Sequence, residues 1–111
     1  MDNRLAKITK IYDVKNRDWM LYRVSHKNYL TIHHIHERVN GGKNSIDNFA
    51  PLTKQAHRNL NYMREHCQDL YEEYQQLFRD IASTKMPPTE KHQDTMRLLR
   101  IRAQECGYYE K

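Results

Sequence analysis

Residues 29–62 read YLTIHHIHERVNGGKNSIDNFAPLTKQAHRNLNY. The order of residue types in this stretch decides the fold. From Tyr29 to Ile32, aromatic and β-branched residues favour an extended strand that delivers a histidine pair, His33 and His34, at its end. Two glycines, Gly41 and Gly42, follow with Lys43 and Asn44, and Gly and Asn tolerate the positive φ that a chain reversal requires. The chain is expected to return through Asn48, Phe49, Ala50 and Pro51 as a second short strand, the proline marking an edge or a strand end. Thr53 then suits a helix N-cap, and the helix it opens carries His57. The expectation is strand, loop, strand, helix, an α+β unit with imidazoles supplied by the first strand and by the helix.

Upstream, residues 1–28 read as an arm leading into this unit. Met1 to Lys10 is short and amphipathic, a helix or an extended arm with Leu5, Ile8 and Ile11 turned inward. Trp19 is expected in the core rather than stacked on a base. Weak alternation from Met20 to Val24 predicts a strand that pairs with Tyr29–Ile32 across a turn at Ser25–Asn28, giving a short hairpin before the histidines.

Downstream, residues 63–111 read as helical. Leu60, Met63, Cys67, Leu70, Tyr71, Tyr74, Leu77, Phe78 and Ile81 recur at three- and four-residue steps and mark the clearest helix in the chain, either separate from the His57 helix or continuous with it as one element from about Lys54 to Ala82. Met86, Pro87 and Pro88 end it. Thr89 caps a further helix to Glu105 or Cys106, with Gly107 as the stop and Met96, Leu99 and Ala103 on one face. These two helices are expected to pack as an antiparallel pair bracing the histidine-bearing unit, with Arg97, Arg100 and Arg102 on a solvated face.

The 111 residues suit one compact domain with a modest core. A net charge of +5 fits a polyanionic partner. Cys67 and Cys106 are isolated in sequence and form no CxxC, which speaks against both a disulfide framework and a structural zinc, and for reduced thiols in the cytoplasm. No apolar run reaches signal-peptide or membrane-span length, so a soluble, unexported chain with no membrane partner is expected.

The blocks HHIHERVNGGKN, SIDNFAPLT and AHRNLN, in this order and spacing, resemble the His-Asn-His (HNH) endonucleases, whose shared unit is the ββα-metal finger. The resemblance covers about a third of the chain. It implies a single HNH domain over 1–111, with the arm at 1–28, the finger at 29–62 and the helical part at 63–111. It also implies roles residue by residue. His33 takes the first metal-ligand position, often Asp in the family, and His34 takes the general-base position. Asn48 takes the middle position, which braces the loop and orients the base. His57 takes the second ligand position on the helix. Asn61 stands one turn further along, where some relatives carry another histidine, and is a weaker third donor. His36 is expected to be structural or phosphate-facing.

The chemistry can also be argued from the residues. Hydrolysing a phosphodiester needs a deprotonated water on one side of phosphorus and charge stabilisation where the 3′ oxygen leaves. Neighbouring strand residues diverge, so His33 can hold a cation while His34 faces water. An imidazole suits the base role because its unperturbed pKa is about 6.5, and its second nitrogen is expected to donate to a backbone carbonyl on the Asn48 strand. A pair of imidazoles favours one divalent Mn, Ni, Zn or Co ion over Mg, which prefers an all-oxygen, mostly hydrated shell, so activity is expected with Mn or Ni at least as readily as with Mg. Arg38, Lys43, Lys54 and Arg58 are the candidate DNA contacts, and Arg38 and Arg58 could also stabilise charge at phosphorus.

The reading is a metal-dependent endonuclease acting on double-stranded DNA, with 3′-hydroxyl and 5′-phosphate ends implied by the resemblance. The overall pattern is also similar to small stand-alone HNH proteins of phages and prophages, which implies the host cytoplasm and phage packaging proteins as further partners. Two alternatives stand beside it. One is a DNA- or metal-binding module without turnover. The other is a protein-interaction module that uses Tyr71, Tyr74, Tyr108 and Tyr109 on the helices.

Overall fold

The computed structural model describes residues 3–108. In chain order they form α1 (Asn3–Ile11), β1 (Leu30–His34), β2 (Phe49–Thr53), α2 (Lys54–His66), α3 (Gln68–Thr84) and α4 (Glu90–Glu105), with 3₁₀ turns at Arg38–Asn40 and Ile46–Asn48 in the loop between the strands. This is an α+β fold in which a two-stranded antiparallel hairpin is followed directly by a helix.

β1 pairs with β2 in a register that sets Thr31 opposite Leu52, Ile32 opposite Pro51 and His33 opposite Ala50. Main-chain bonds from Lys54 N–H to Tyr29 and from Ile35 N–H to Asn48 flank the ladder. Alternation from those two pairs puts Pro51 at a non-hydrogen-bonded position, where its missing N–H is not needed by β1. Proline therefore sits in the middle of an edge strand, the first of the two places expected for it, and not at a strand end. The outer edge of β2 is engaged as well, because Trp19 N–H donates to the Pro51 carbonyl.

The expected pairing of Met20–Val24 with Tyr29–Ile32 does not occur. β1 is taken by β2, and residues 17–23 close on themselves as a tight loop with a single bridge between Arg17 and Arg23. Asp18 dictates that loop. Its N–H donates to the Tyr22 carbonyl, and its side chain accepts the Tyr22 N–H at 2.9 Å. Leu21 is forced to φ 69°, a left-handed conformation that no strand residue adopts. The second carboxylate oxygen of Asp18 accepts the Thr53 N–H at 2.7 Å. Thr53 in turn caps α2 by accepting from Ala56 N–H. One carboxylate thus ties the arm to the start of the helix that bears His57.

Of the two arrangements open for residues 54–82, the structure has two separate helices. Cys67 leaves the helical region at φ −148° and ψ 77°, closing α2 with its N–H on the Met63 carbonyl and opening α3 with its carbonyl on Tyr71 N–H. The apolar spacing runs through the break, since Leu60 and Met63 before it and Leu70, Tyr71, Tyr74, Leu77 and Phe78 after it are all buried. Periodicity reports the stripe and is blind to a bend that keeps both stripes on one core. Lys85, in the left-handed region, ends α3. Thr89 caps α4 with a full capping box closed by the His92 side chain, and Met96, Leu99 and Ala103 are its buried residues. Arg102 near the end of α4 pairs with Glu73 near the start of α3, so the two run antiparallel.

The core lies between α3 and the finger. Ile8 and Tyr12 of the arm, Trp19, Phe49, Leu52, Leu60, Met63 and Phe78 meet there. Tyr12, just past α1, sends its hydroxyl to both the Ile46 and Ala82 carbonyls, joining arm, loop and α3. Tyr71 and Tyr74 are buried in this core, which removes them from the exposed tyrosine face that a protein-interaction role would use; Tyr109 lies outside the described residues. Arg97 pairs with Asp94 on the solvated side of α4. Cys67 and Cys106 are free. No helix among the described residues is long and apolar enough to cross a membrane.

Burial is the main influence on the Asp18 carboxyl and raises it from the ordinary 3.8 to about 6, against hydrogen bonds from Thr53, Tyr22 and Met20 that favour the carboxylate. The folded chain therefore holds a proton here that the unfolded chain has lost. This group's contribution to stability is full below about pH 4 and is lost as pH rises through 6. Carboxyl ¹³C shifts followed by NMR should give Asp18 a midpoint near 6. Asp18→Asn sets an NH₂ against one of the two backbone N–H groups and should cost about 1–3 kcal/mol in denaturant unfolding. A midpoint near 4, or a variant as stable as the parent, would contradict this account.

Candidate metal centre and catalytic cleft

His33, next to last in β1, faces the core and is 5% exposed. Its ring is held between three groups. Gln75 of α3 lies at 2.7 Å from Nε2, the Phe78 ring meets it edge-on with centroids 5.7 Å apart, and His57 of α2 stands at right angles with its Nε2 3.4 Å from His33 Nδ1. His57 is placed by its other nitrogen, which lies 3.2 Å from the Thr31 hydroxyl.

The hydrogen-bond partners decide where the protons sit. Gln75 donates its NH₂ to the Ile35 carbonyl at 2.6 Å, so its carbonyl oxygen is the end that faces His33. A carbonyl oxygen only accepts, hence His33 carries its proton on Nε2 and its Nδ1 is a bare lone pair. The Thr31 hydroxyl spends its only proton on the Leu52 carbonyl at 2.7 Å. It can then only accept from His57, which places that proton on Nδ1 and leaves Nε2 bare. Two lone pairs thus point into one gap.

Nothing cationic in the rings fills it. Burial drives His33 down from 6.5 to about 4, helped by the positive potential of His57, His34 and Arg64 and opposed by the Gln75 bond. Burial, then His34, lowers His57 as well. Both rings are neutral near pH 7 and need lose no proton to bind a cation. Two donors sharing a four-coordinate ion at about 2.0–2.1 Å sit about 3.3–3.4 Å apart, so the observed spacing fits two imidazole ligands of a common divalent ion. Among the described residues no third His, Cys, Asp or Glu joins them in such a cluster. Asn61, exposed one turn along α2, lines the same cleft of about 280 Å³.

His34 turns away from the core into that cleft, its ring edge-on to Phe49 with centroids 5.1 Å apart. Its Nε2 lies 2.9 Å from the Asn44 carboxamide oxygen, an end fixed as oxygen because Arg4 donates to it too. The partner is thus a loop side chain rather than the expected backbone carbonyl on β2. The consequence for the ring is the same, since Nε2 holds the proton and Nδ1 keeps its lone pair.

Asn48 braces the loop. Its carbonyl oxygen accepts the His36 N–H at 2.8 Å, and its NH₂ donates to the His36 carbonyl at 3.0 Å and the Lys43 carbonyl at 2.9 Å. One side chain therefore spans both ends of the turn. The glycines differ in their work. Gly41 has φ 90°, as a reversal requires, whereas a Cβ on Gly42 would stand 1.8 Å from the His36 carbonyl oxygen. The His36 ring is exposed, and its backbone is what the loop uses.

The basic candidates separate. Arg38 lines the cleft with the histidines. Lys43 lies with Arg4, Lys7 and Lys85 along a neighbouring depression, and Arg58 lines another beside Tyr62 and Tyr108. Lys54, at the start of α2, rests over the Tyr29 ring. Arg64, which the sequence did not single out, also reaches the cleft and pairs there with Glu37. Gln75 and Thr31 were likewise missed. For Gln75 a signal existed, because a polar residue four after Tyr71 and three before Phe78 interrupts an otherwise apolar stripe.

This arrangement is a ββα finger with a histidine pair at the junction of strand and helix. Residues 21–62 match the family model described as HNH endonuclease; domains of that family generally have nuclease-type function, bind DNA and use a divalent metal. No curated protein and no solved structure matches the chain.

Removing the Asn48 brace tests the loop. Asn48→Ala leaves the His36 N–H and two carbonyls without their partner and should cost about 1–3 kcal/mol. Amide hydrogen exchange should show the His36 N–H losing protection while the amides of α3 keep theirs. Unchanged protection at His36 would sink the assignment.

Proposed function

We propose that the chain is a metal-dependent endonuclease that hydrolyses phosphodiester bonds in DNA, with His33 and His57 as metal ligands, Asn61 as a weaker third donor and His34 as general base. The observation that carries this reading is the approach of His33 Nδ1 and His57 Nε2 to 3.4 Å in the cleft that His34 lines.

A divalent ion held there would supply the charge that stabilises a phosphate oxygen and the departing 3′ oxygen. The remaining work falls to the side chains. With Nε2–H bonded to Asn44, His34 presents Nδ1 as the atom that takes a proton from the attacking water. Asn48 holds the loop that supplies Asn44, which keeps the His34 ring in one orientation. Arg38, which lines the cleft, is suited to a non-bridging phosphate oxygen. Lys43, in the depression it shares with Arg4, Lys7 and Lys85, suits the DNA backbone on one flank of the cleft, and Lys54 and Arg58 suit it along α2.

Supercoiled plasmid incubated with the protein should pass first to nicked circles, because one such site cuts one strand. Mn or Ni should support this at least as well as Mg, since two imidazoles suit those ions better. Chelator should abolish nicking. His34→Ala should lower the rate about 10²-fold or more while leaving metal uptake intact, and His57→Ala should lose both. Plasmid bound but uncut with every ion would favour a binding module without turnover.

A further inference from the structure

We propose that Gln75 is a positioning residue that makes Nδ1 of His33 the metal-binding atom, by acting on the opposite edge of the ring. The proposal rests on the metal-site reading above. It concerns a residue of α3, beyond the stretch that matches the family model.

Gln75 and His33 are each 5% exposed, so neither can exchange its partner for water. A buried carboxamide is directional. The Ile35 carbonyl can only accept, which commits the Gln75 NH₂ to it and turns the Gln75 oxygen to His33. A neutral imidazole has one proton, and the Gln75 oxygen draws it to Nε2. Nδ1, the nitrogen that looks at His57, is left bare. If Nδ1 carried the proton instead, it would donate into the His57 lone pair at 3.4 Å, and a hydrogen bond would occupy the place of an ion. Ile35 belongs to the turn just after β1, so the same carboxamide also registers α3 against the strand end that presents His33. Phe78, one turn later on α3, packs edge-on to His33 and limits rotation of the ring.

The test reads the proton directly. In the metal-free protein, long-range ¹H–¹⁵N correlation spectra should show His33 as the Nε2–H tautomer. Gln75→Met keeps the side-chain length and removes the accepting oxygen; the Nε2–H signature of His33 should give way to a mixture or to Nδ1–H. Calorimetry with Zn²⁺ alone should show Kd raised about 10–100-fold in this variant. Gln75→Glu keeps an oxygen against Nε2 while its protonated carboxyl can donate to the Ile35 carbonyl, and should retain both the Nε2–H tautomer and Zn²⁺ binding within a few-fold of wild type.

Wild-type protein with His33 as Nδ1–H overturns the proposal without recourse to any variant, as does Gln75→Met with unchanged tautomer and Zn²⁺ affinity. Those results leave the metal-site reading standing if wild type binds Zn²⁺. Wild-type protein that holds the Nε2–H tautomer yet takes up no Zn²⁺ overturns the metal-site reading, and with it the purpose assigned to Gln75.

Discussion

Two neutral imidazoles brought edge to edge normally share a proton. In this chain the proton is drawn out of the gap from both sides, by Gln75 behind His33 and by Thr31 behind His57. Each of those partners is itself committed by a backbone carbonyl that cannot donate, Ile35 in one case and Leu52 in the other. The site is therefore set by main-chain geometry two bonds away from the rings. Its precondition is that β1, β2, α2 and α3 hold their relative positions.

A two-stranded hairpin does not achieve that alone, being marginal in water without a packed face. The chain has no CxxC pairs with which zinc could clamp the finger, so packing and buried polar ties must do it. α3 covers the finger with Tyr74, Gln75 and Phe78, and Asp18 fastens the arm to the N-cap of α2. The Asp18 tie has a cost, visible in the upward shift of its carboxyl, and its benefit is positional: two backbone N–H groups from distant segments share one side chain. Burying a carboxylate is a poor way to gain stability and a good way to fix one arrangement. Asn48 plays the same part for the loop without a charge.

What was legible in the sequence were features with local causes. β-Branched residues before His33, the Gly-Gly reversal, the Thr53 and Thr89 caps and the apolar stripes each act within a few residues, and the structure has them in order. Features with distant causes were not legible. Met20–Val24 has strand-like composition, but its conformation is dictated by a carboxylate that also serves Thr53, 35 residues further on. The break at Cys67 leaves the hydrophobic period intact, so no pattern betrays it. Asn44 as the partner of His34 depends on where the loop crosses, and spacing does not contain that. The imidazole pair itself was reached through resemblance; the agents that set its protons, Thr31 and Gln75, were not.

Gln75 shows how such residues can be sought. Gln at a stripe position of a helix is either exposed by a twist of the packing or buried against a partner that satisfies both ends of its amide. α3 is buried on both sides of it, at Tyr74 and Phe78, which removes the first option. A satisfied amide needs one donor and one acceptor, and the end of β1 offers both, an imidazole N–H and the Ile35 carbonyl. The polar interruption in the stripe and the histidine at the strand end therefore pose a single problem, and each is the other's solution. The buried amide gives up its freedom to flip and gains two directed bonds, and the direction of one of them leaves His33 with a lone pair aimed at His57.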